Sequence, residues 1–518
     1  MASLTTQPTT ENKLFIENYK ILQTGPEHGT TSSHNYHTVD LVTALLTKMS
    51  MEELLLAFNV DRSGSMSTKA RDGYSSLEHT LHTAKNIIHY LEELKDENPN
   101  LNIRLLINAF DNKMKNCGYL TIGDKNTKDY IANLEKLHPR GTTNISDAFD
   151  VIKQDAIYNA TDESKKAHIL MTDGQPNGGK TSAEGIIESN PGGSQVYIGY
   201  GTDHNAELLQ KMAELANGAY HFVDSVENAG MVYGEIIHGL LYAAVKDITV
   251  TVKGAEVYDF TKNSWTNSVK FNSFASEHTQ SLILRSSWDS VDIVSINIVY
   301  TETGNGVIHS KTDTFNCYNC TNGETKQTDR DIVVEKQMFR QQVLDGLWRA
   351  RYTKDYDKKQ KLKTELITLE KNIKDFMKTK NLEDDAFMQK LATDLYVAYN
   401  GIDSYCGAAF IGSRLSTQGN QRAYDVNNFD HLTRQNAVDL GDAIFGGAPP
   451  TFNRGGGGRV PERFTRNLSA PTAPLSPIGL PKPNMVRQSS CYTTPTQADV
   501  MRHCSQQIPH DLDDVEEN

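Results

Sequence analysis

Five short apolar runs recur at about 54–60, 103–110, 167–172, 195–200 and 219–223, and helical periodicity fills the gaps between them. No other feature constrains the fold as much. An apolar run of this length, without alternation, suits a strand buried on both faces, as in a parallel sheet. Between the first two runs Leu77, Leu81, Ala84, Ile88 and Leu91 recur at steps of four and three, which lines one face of a helix. Strand–helix alternation implies right-handed crossovers and therefore an α/β, doubly wound, mainly parallel sheet with helices on both sides. Tyr119-Leu-Thr-Ile122 fits an antiparallel edge strand, and Ser225 to Ala244 reads as the closing helix.

In such a sheet ligands bind outside the carboxyl ends of the strands. The first run, Leu54 to Val60, ends in Asp61-Arg-Ser63-Gly-Ser65-Met66. The third, His168 to Thr172, delivers Asp173-Gly-Gln-Pro-Asn177 into a Gly/Pro turn. Between them, Arg140-Gly-Thr142-Thr143-Asn144 opens a helical run through Ile145, Ala148, Phe149 and Ile152, with Asn144 or Thr143 placed to cap it. Each piece alone is what an ordinary turn uses, since Asp, Ser and Gly are turn residues. Together they bring only hard oxygen donors to one sheet edge, which suit Mg²⁺, Mn²⁺ or Ca²⁺ better than zinc or copper. With two carboxylates as its only protein anions, a bound divalent ion is expected to keep an attraction for an external acid.

Asp61-x-Ser63-x-Ser65, Thr143 and Asp173, with Gly-Ser-Met after Ser63 and Asp-Gly in the last loop, resemble the metal-ion-dependent adhesion site (MIDAS) of the von Willebrand factor type A (vWA) family. The resemblance spans about residues 50–245 and implies a vWA fold. It implies that Ser63, Ser65 and Thr143 offer hydroxyls to the metal while Asp61 and Asp173 bind directly or through water. One position is left for an Asp or Glu of a protein partner. Thr142 is adjacent, and the Thr-Asn pairing favours Thr143.

Two enzyme readings fail on named residues. A haloacid-dehalogenase-type phosphatase needs a second Asp two positions after the first, where Ser63 stands. A dinucleotide fingerprint built on Gly199-Tyr-Gly201 needs a third glycine at position 204, which is His. The glycines read as turn formers before a helix over 205–216. No catalytic residue is expected, and the chain reads as a non-enzyme.

Beyond the α/β unit the period changes. Asp247 to Val252 alternates, and Ser281–Leu284 and Val291–Tyr300 are further β-rich runs, which together predict an antiparallel sandwich. Leu14–Ile16 and Tyr19–Leu22 read as a strand contributed to it. Helical periodicity returns from Asp331, with Leu362, Leu366, Leu369, Ile373 and Phe376 on one face and Phe387, Leu391 and Leu395 on the next. This stretch resembles the helical segment that follows vWA domains in some intracellular members, and its charges between Lys354 and Lys380 read as a solvated face. The boundaries drawn are 1–49 (N-terminal, partly disordered), 50–245 (vWA), 246–330 (β-rich), 331–410 (helical) and 411–518 (linker and disordered tail). Residues 446–518 hold ten of the sixteen prolines and the run Gly455–Gly458, a composition that buries too little to offset chain entropy. Ser476-Pro477 and Thr494-Pro495 within it are candidate modification or docking motifs, or plain spacer.

The net charge of −13 lies on residues 1–445, because the tail sums to zero, so nucleic acid is not expected as a partner. No apolar run of about 18 residues or signal-like start is present, so no membrane contact is expected. Cys317-Tyr-Asn-Cys320 lacks the second pair that structural zinc needs. Scattered thiols, and Asn144 of an Asn-x-Ser match inside the metal loop, point to a cytoplasmic setting. The function expected is metal-dependent binding of an acidic residue of another protein. The alternatives are an assembly protein, for example of a virus or large particle, or a non-catalytic subunit of a ubiquitin-ligase-type complex.

Overall fold

The computed structural model describes residues 13–22, 34–46, 49–50, 53–69, 73–223, 229–287, 293–316, 327–404, 407–424 and 490–505. Cys317, Cys320, Gly455–Gly458 and Ser476 lie outside the described residues.

The strands of the α/β unit are β3 (Glu53–Asp61), β4 (Asn102–Phe110), β5 (Met114–Thr121), β6 (Lys166–Thr172), β7 (Ser194–Tyr200) and β8 (Ala219–Val223), in the order β5-β4-β3-β6-β7-β8. All neighbours are parallel except β5, which pairs antiparallel with β4 at the edge as expected. β3 and β6 are buried nearly throughout because helices cover both faces. These helices are α1 (Ser76–Glu97), α2 (Thr127–Leu134), α3 (Ile145–Gln154), α4 (Ala156–Ala160), α5 (Ala183–Ile187), α6 (Ala206–Leu215) and α7 (Ala229–Leu241). α1 starts with a reciprocal capping box between Ser75 and Glu78, and it buries Leu77, Leu81, Ile88 and Leu91. The closing helix ends at Leu241, earlier than the periodicity predicts. Ala243 and Ala244 already belong to β9 (Ala243–Lys253), since their small apolar side chains fit a strand equally well.

β9 opens the second unit, a sandwich of two antiparallel sheets. One runs β1 (Leu14–Leu22), β2 (His34–Thr43), β13 (Thr279–Ser287), β10 (Glu256–Asp259), β11 (Ser264–Thr266). The other runs β12 (Ser268–Ala275), β9, β14 (Ile293–Glu302), β15 (Ile308–Asn316). Leu14, Ile16, Val39 and Leu41 face Ile248, Val250, Val252, Val294, Ile296 and Ile298 in one core. The α/β unit is therefore inserted between β2 and β9. β1 was expected, but β2 was not, because it carries His34, His37, Thr38 and Asp40 among its apolar residues. His37 is nonetheless buried, and its two ring nitrogens meet Tyr19 Oη at 2.7 Å and Ser286 Oγ at 2.8 Å.

Four helices follow, α8 (Gln327–Tyr352), α9 (Tyr356–Thr379), α10 (Ala386–Gly401) and α11 (Gly407–Asn420). Leu362, Leu366, Ile373, Leu391 and Leu395 form their core together with Tyr258 and Ile283 of the first sandwich sheet. Two stretches of the expected linker and tail are folded. α11 runs through residues 411–420 and buries Arg414 against Asp394, with Nη1 2.8 Å from Oδ1. Residues 490–505 form a turn and α12 (Pro495–Cys504), where Thr494 caps the helix by accepting from Gln497 N and Pro495 takes the first turn. Val500, Met501 and Cys504 bury themselves in the α/β core. A Cβ on Gly234 would stand 2.4 Å from Met501 Cα, and one on Gly230 2.2 Å from Cys504 O, so two glycines one helical turn apart on α7 make room for the α12 backbone.

Candidate metal centre

Between β3 and β6 the chain order reverses direction across the sheet: β4 lies on one side, β7 and β8 on the other. The crevice at such a switch point is where α/β sheets hold ligands. Val60 is in register with Met171, so Asp61 and Asp173 emerge from adjacent strand ends.

Asp61 is fully buried. Its Oδ1 accepts the Ser63 N–H at 2.7 Å and its Oδ2 accepts the Thr172 hydroxyl at 2.6 Å. From there a chain of hydroxyls leads outward. Ser63 Oγ lies 3.0 Å from Ser65 Oγ, and Ser65 Oγ donates to Asp173 Oδ1 at 2.6 Å. Thr143 joins from the loop before α3. A Cβ on Gly174 would sit 3.2 Å from Thr143 Oγ1 and 3.5 Å from Ser65 Oγ, which places both hydroxyls over the start of the Asp173 loop. Thr143 is fixed on both sides of its peptide: its N–H donates to Asn177 Oδ1 at 2.8 Å, and its carbonyl accepts from Asn177 N at 3.0 Å. Thr142 is exposed, and Asn144 rather than Thr143 caps α3 by accepting from Asp147 N. All five residues singled out in the sequence thus converge, graded from buried Asp61, Ser63 and Thr143 to open Ser65 and half-buried Asp173.

The electrostatics of this cluster call for a cation. Burial pushes the Asp61 carboxyl up to about 7, against the opposing hydrogen bonds from Thr172 and Ser63 and with added repulsion from Asp173. Burial also raises Asp173, helped by the negative charge of Asp203 and opposed by Ser65. Five oxygen donors, two of them carboxylates lacking a counter-charge within the cluster, fit a hard divalent ion.

Sequence reasoning missed the frame that holds the loops. Asp111, at the carboxyl end of β4, accepts at Oδ2 from Arg62 Nη2 (2.9 Å) and Arg140 Nε (2.7 Å), and at Oδ1 from Lys113 N (3.1 Å). Burial raises its carboxyl, but Arg140, Lys113 N and Arg62 outweigh that and hold it below the usual carboxylate range. Arg140 N donates to Arg62 O at 2.7 Å and Gly64 N to Gly141 O at 3.2 Å, which ties the Thr143 loop to the Asp61 loop. Asp111 follows an apolar strand just as Asp61 does, so the strand-end rule would have found it. Gly199 proves to be a strand residue rather than a turn former. The ring of His204 fills the place of its missing side chain, 2.2 Å from a built Cβ, and bonds Gly201 O and Tyr220 Oη.

The doubly wound sheet with this crevice is the fold of a von Willebrand factor type A domain, and the family model of that name matches residues 56–234. The chain carries such a domain, joined to a β-sandwich and a helical unit. Domains of this family generally mediate protein–protein interactions, and many bind a divalent metal at a MIDAS. Among solved structures, the ArnB paralog VWA2 from Sulfolobus acidocaldarius is 10% identical, covering 79% of this chain and 98% of that one, with a TM-score of 0.44. A von Willebrand factor type A protein from Catenulispora acidiphila is 13% identical over 79% of this chain and 91% of that one, with a TM-score of 0.45. Proximal thread matrix protein 1 from the mussel byssus, with a zinc-occupied MIDAS motif, is 18% identical over 38% of this chain and 50% of that one, with a TM-score of 0.29. No curated protein matches. Among the described residues no helix is long and apolar enough to cross a membrane.

Proposed function

We propose that the chain is a non-enzymatic binding module whose vWA domain holds a divalent cation on Asp61, Ser63, Ser65, Thr143 and Asp173 and takes an Asp or Glu of a protein partner as a further ligand. The observation that carries this reading is the hydroxyl chain from buried Ser63 through Ser65 to half-buried Asp173, beside the fully buried Asp61 carboxylate. Three of the five donors are neutral hydroxyls, and five protein oxygens leave a six-coordinate hard ion one ligand short, which a partner carboxylate can supply. No His, Cys or Lys belongs to the five donors, so the cluster supplies no thiol or amine nucleophile, and the one carboxyl that burial raises to about 7, Asp61, is fully buried against Ser63 and Thr172 rather than open to a substrate. Hard oxygen donors favour Mg²⁺, with Mn²⁺ and Ca²⁺ next. Zinc, named for the MIDAS of the mussel protein, is the comparison metal. The working environment under this reading is cytoplasmic. An assembly role with a dispensable metal is the second reading, favoured by the two further folded units that make up nearly half of the described chain.

Calorimetric titration with Mg²⁺ and pull-down with and without EDTA test the proposal. Asp173→Ala should lose Mg²⁺ affinity and metal-dependent partner capture while keeping its circular dichroism spectrum. Equal Mg²⁺ affinity in wild type and variant would remove the site assignment. Capture that persists in EDTA would favour the assembly role.

A further inference from the structure

The metal crevice has an asymmetric rim. On the β4 side, Arg62, Asp111 and Arg140 form a cluster in which Arg62 and Asp111 are buried and neutralise one another. Arg140 is then the excess cation. Its Nε is fixed to Asp111 at 2.7 Å, while its side chain stays 57% exposed, and neither Nη has a partner among the described residues. Its backbone N–H bonds the carbonyl of Arg62, the residue between Asp61 and Ser63. Asp111 follows Phe110, the β4 residue paired with Asp61, so the guanidinium is anchored on the β4 flank of the proposed metal site. On the other flank, beyond β6, the loop after β7 carries exposed Asp203, whose charge reaches Asp173. The rim is thus positive over β4 and negative over β7.

We propose that Arg140 is a second anion subsite, so that the preferred ligand is an acidic pair in a protein partner, one carboxylate for the metal and one for the free edge of the Arg140 guanidinium. This rests on the metal-site reading above. Fixing Nε on a buried carboxylate pre-organises the fork and leaves its two outer nitrogens to meet a carboxylate side-on. Asp203 opposes an acid on the far flank and so gives the pair a direction.

The test uses the full chain in Mg²⁺ with two fluorescent probe peptides, Gly-Gly-Glu-Gly-Gly and Gly-Glu-Glu-Glu-Gly, read by polarisation with and without EDTA. The triple-acid peptide should bind wild type about fivefold more tightly, the scale of one partly exposed charge pair. Arg140→Gln should bring the two peptides to parity, and Lys85→Gln, the same change in charge on α1, should keep the preference. Phenylglyoxal footprinting of wild type gives a readout independent of any variant's folding: the triple-acid peptide should shield Arg140 only when Mg²⁺ is present. A preference that survives Arg140→Gln, one lost equally in Lys85→Gln, or an unshielded Arg140 overturns the subsite and leaves the metal reading standing. Peptide binding that survives EDTA overturns the metal reading and the subsite with it.

Discussion

Met501→Ala probes the contact between the C-terminal segment and the vWA domain. Met501 is fully buried where α12 meets α7, with Val500 and Cys504 beside it and Asn86 Nδ2 donating to Cys504 O at 3.3 Å. Truncating a buried Met to Ala costs about 2–5 kcal/mol, and the upper part of that range applies where neighbours cannot collapse into the space. Here they cannot move closer, because Gly230 and Gly234 already let the two backbones approach as near as they can. If the loss falls on docking alone, the undocked population rises at least about 30-fold, as 2 kcal/mol implies. Cys504 reports it directly. Its thiol is buried and pushed up to about 12 by that burial, so a thiol reagent reacts only after α12 lifts. Labelling of Cys504, mapped by mass spectrometry, should accelerate about 30-fold or more in Met501→Ala, with amide exchange in β3 and β6 unchanged. An unchanged Cys504 rate would refute the docking account. Acceleration matched by faster exchange in β3 would show that α12 is inseparable from the core rather than a docked segment.

Two further outcomes follow from titratable groups. Burial depresses His37, His168, His204, His238 and His278 each to about 4, so each stays neutral in the folded chain and takes a proton more readily unfolded. Their contribution is present above the unfolded value of about 6.5 and is lost as pH falls toward 4, by up to ~3 kcal/mol for one such group. Asp61 acts oppositely in the metal-free chain, since its raised carboxyl contributes stability at low pH that is lost as pH rises through about 7. Burial also lowers His221, and it raises Asp173 and Glu235 in the same sense as Asp61, so six rings outweigh three carboxyls and the denaturation midpoint measured in EDTA should fall between pH 6.5 and 4; a flat profile would contradict the burial of these rings. Mg²⁺ must also displace the Asp61 proton, so its affinity by calorimetry should rise up to ~tenfold per pH unit below about 7 and level off above. Affinity independent of pH between 5.5 and 7 would place the ion elsewhere.

How much of this was legible in the sequence depended on distance along the chain. Five apolar runs and their intervening helices fixed the central sheet, because a doubly buried strand reads as continuous Val, Ile and Leu wherever its partners lie. The cluster was legible for the same reason: strand ends are local features, and Asp61 and Asp173 each follow one. β2 and α12 were not. β2 buries His37 and Thr38, which are polar residues made tolerable only by Tyr19, Ser286 and the Leu282 carbonyl, the last two more than two hundred residues away. α12 has a capped start, Thr494-Pro495, but only three buried side chains, and what makes it fold is a pair of glycines in α7.

These two misses share a cause that bears on how the chain works. The sandwich takes β1 and β2 from before the vWA domain and its remaining strands from after it, while the vWA domain takes α12 from beyond the helical unit. Ser490 extends the tie, its N–H donating to Ala423 O at 2.6 Å, and the Ala423 N–H in turn bonds Glu235 of α7 at 3.0 Å. Helix α7 is therefore held on one side by residues 423–424 and on another by α12, and it leads at Leu241 straight into β9 of the sandwich. An element fastened to three units cannot shift without straining at least one of them. The metal crevice at the strand ends consequently sits in a domain braced from outside, which favours a pre-organised binding surface, with less ordering to offset on association.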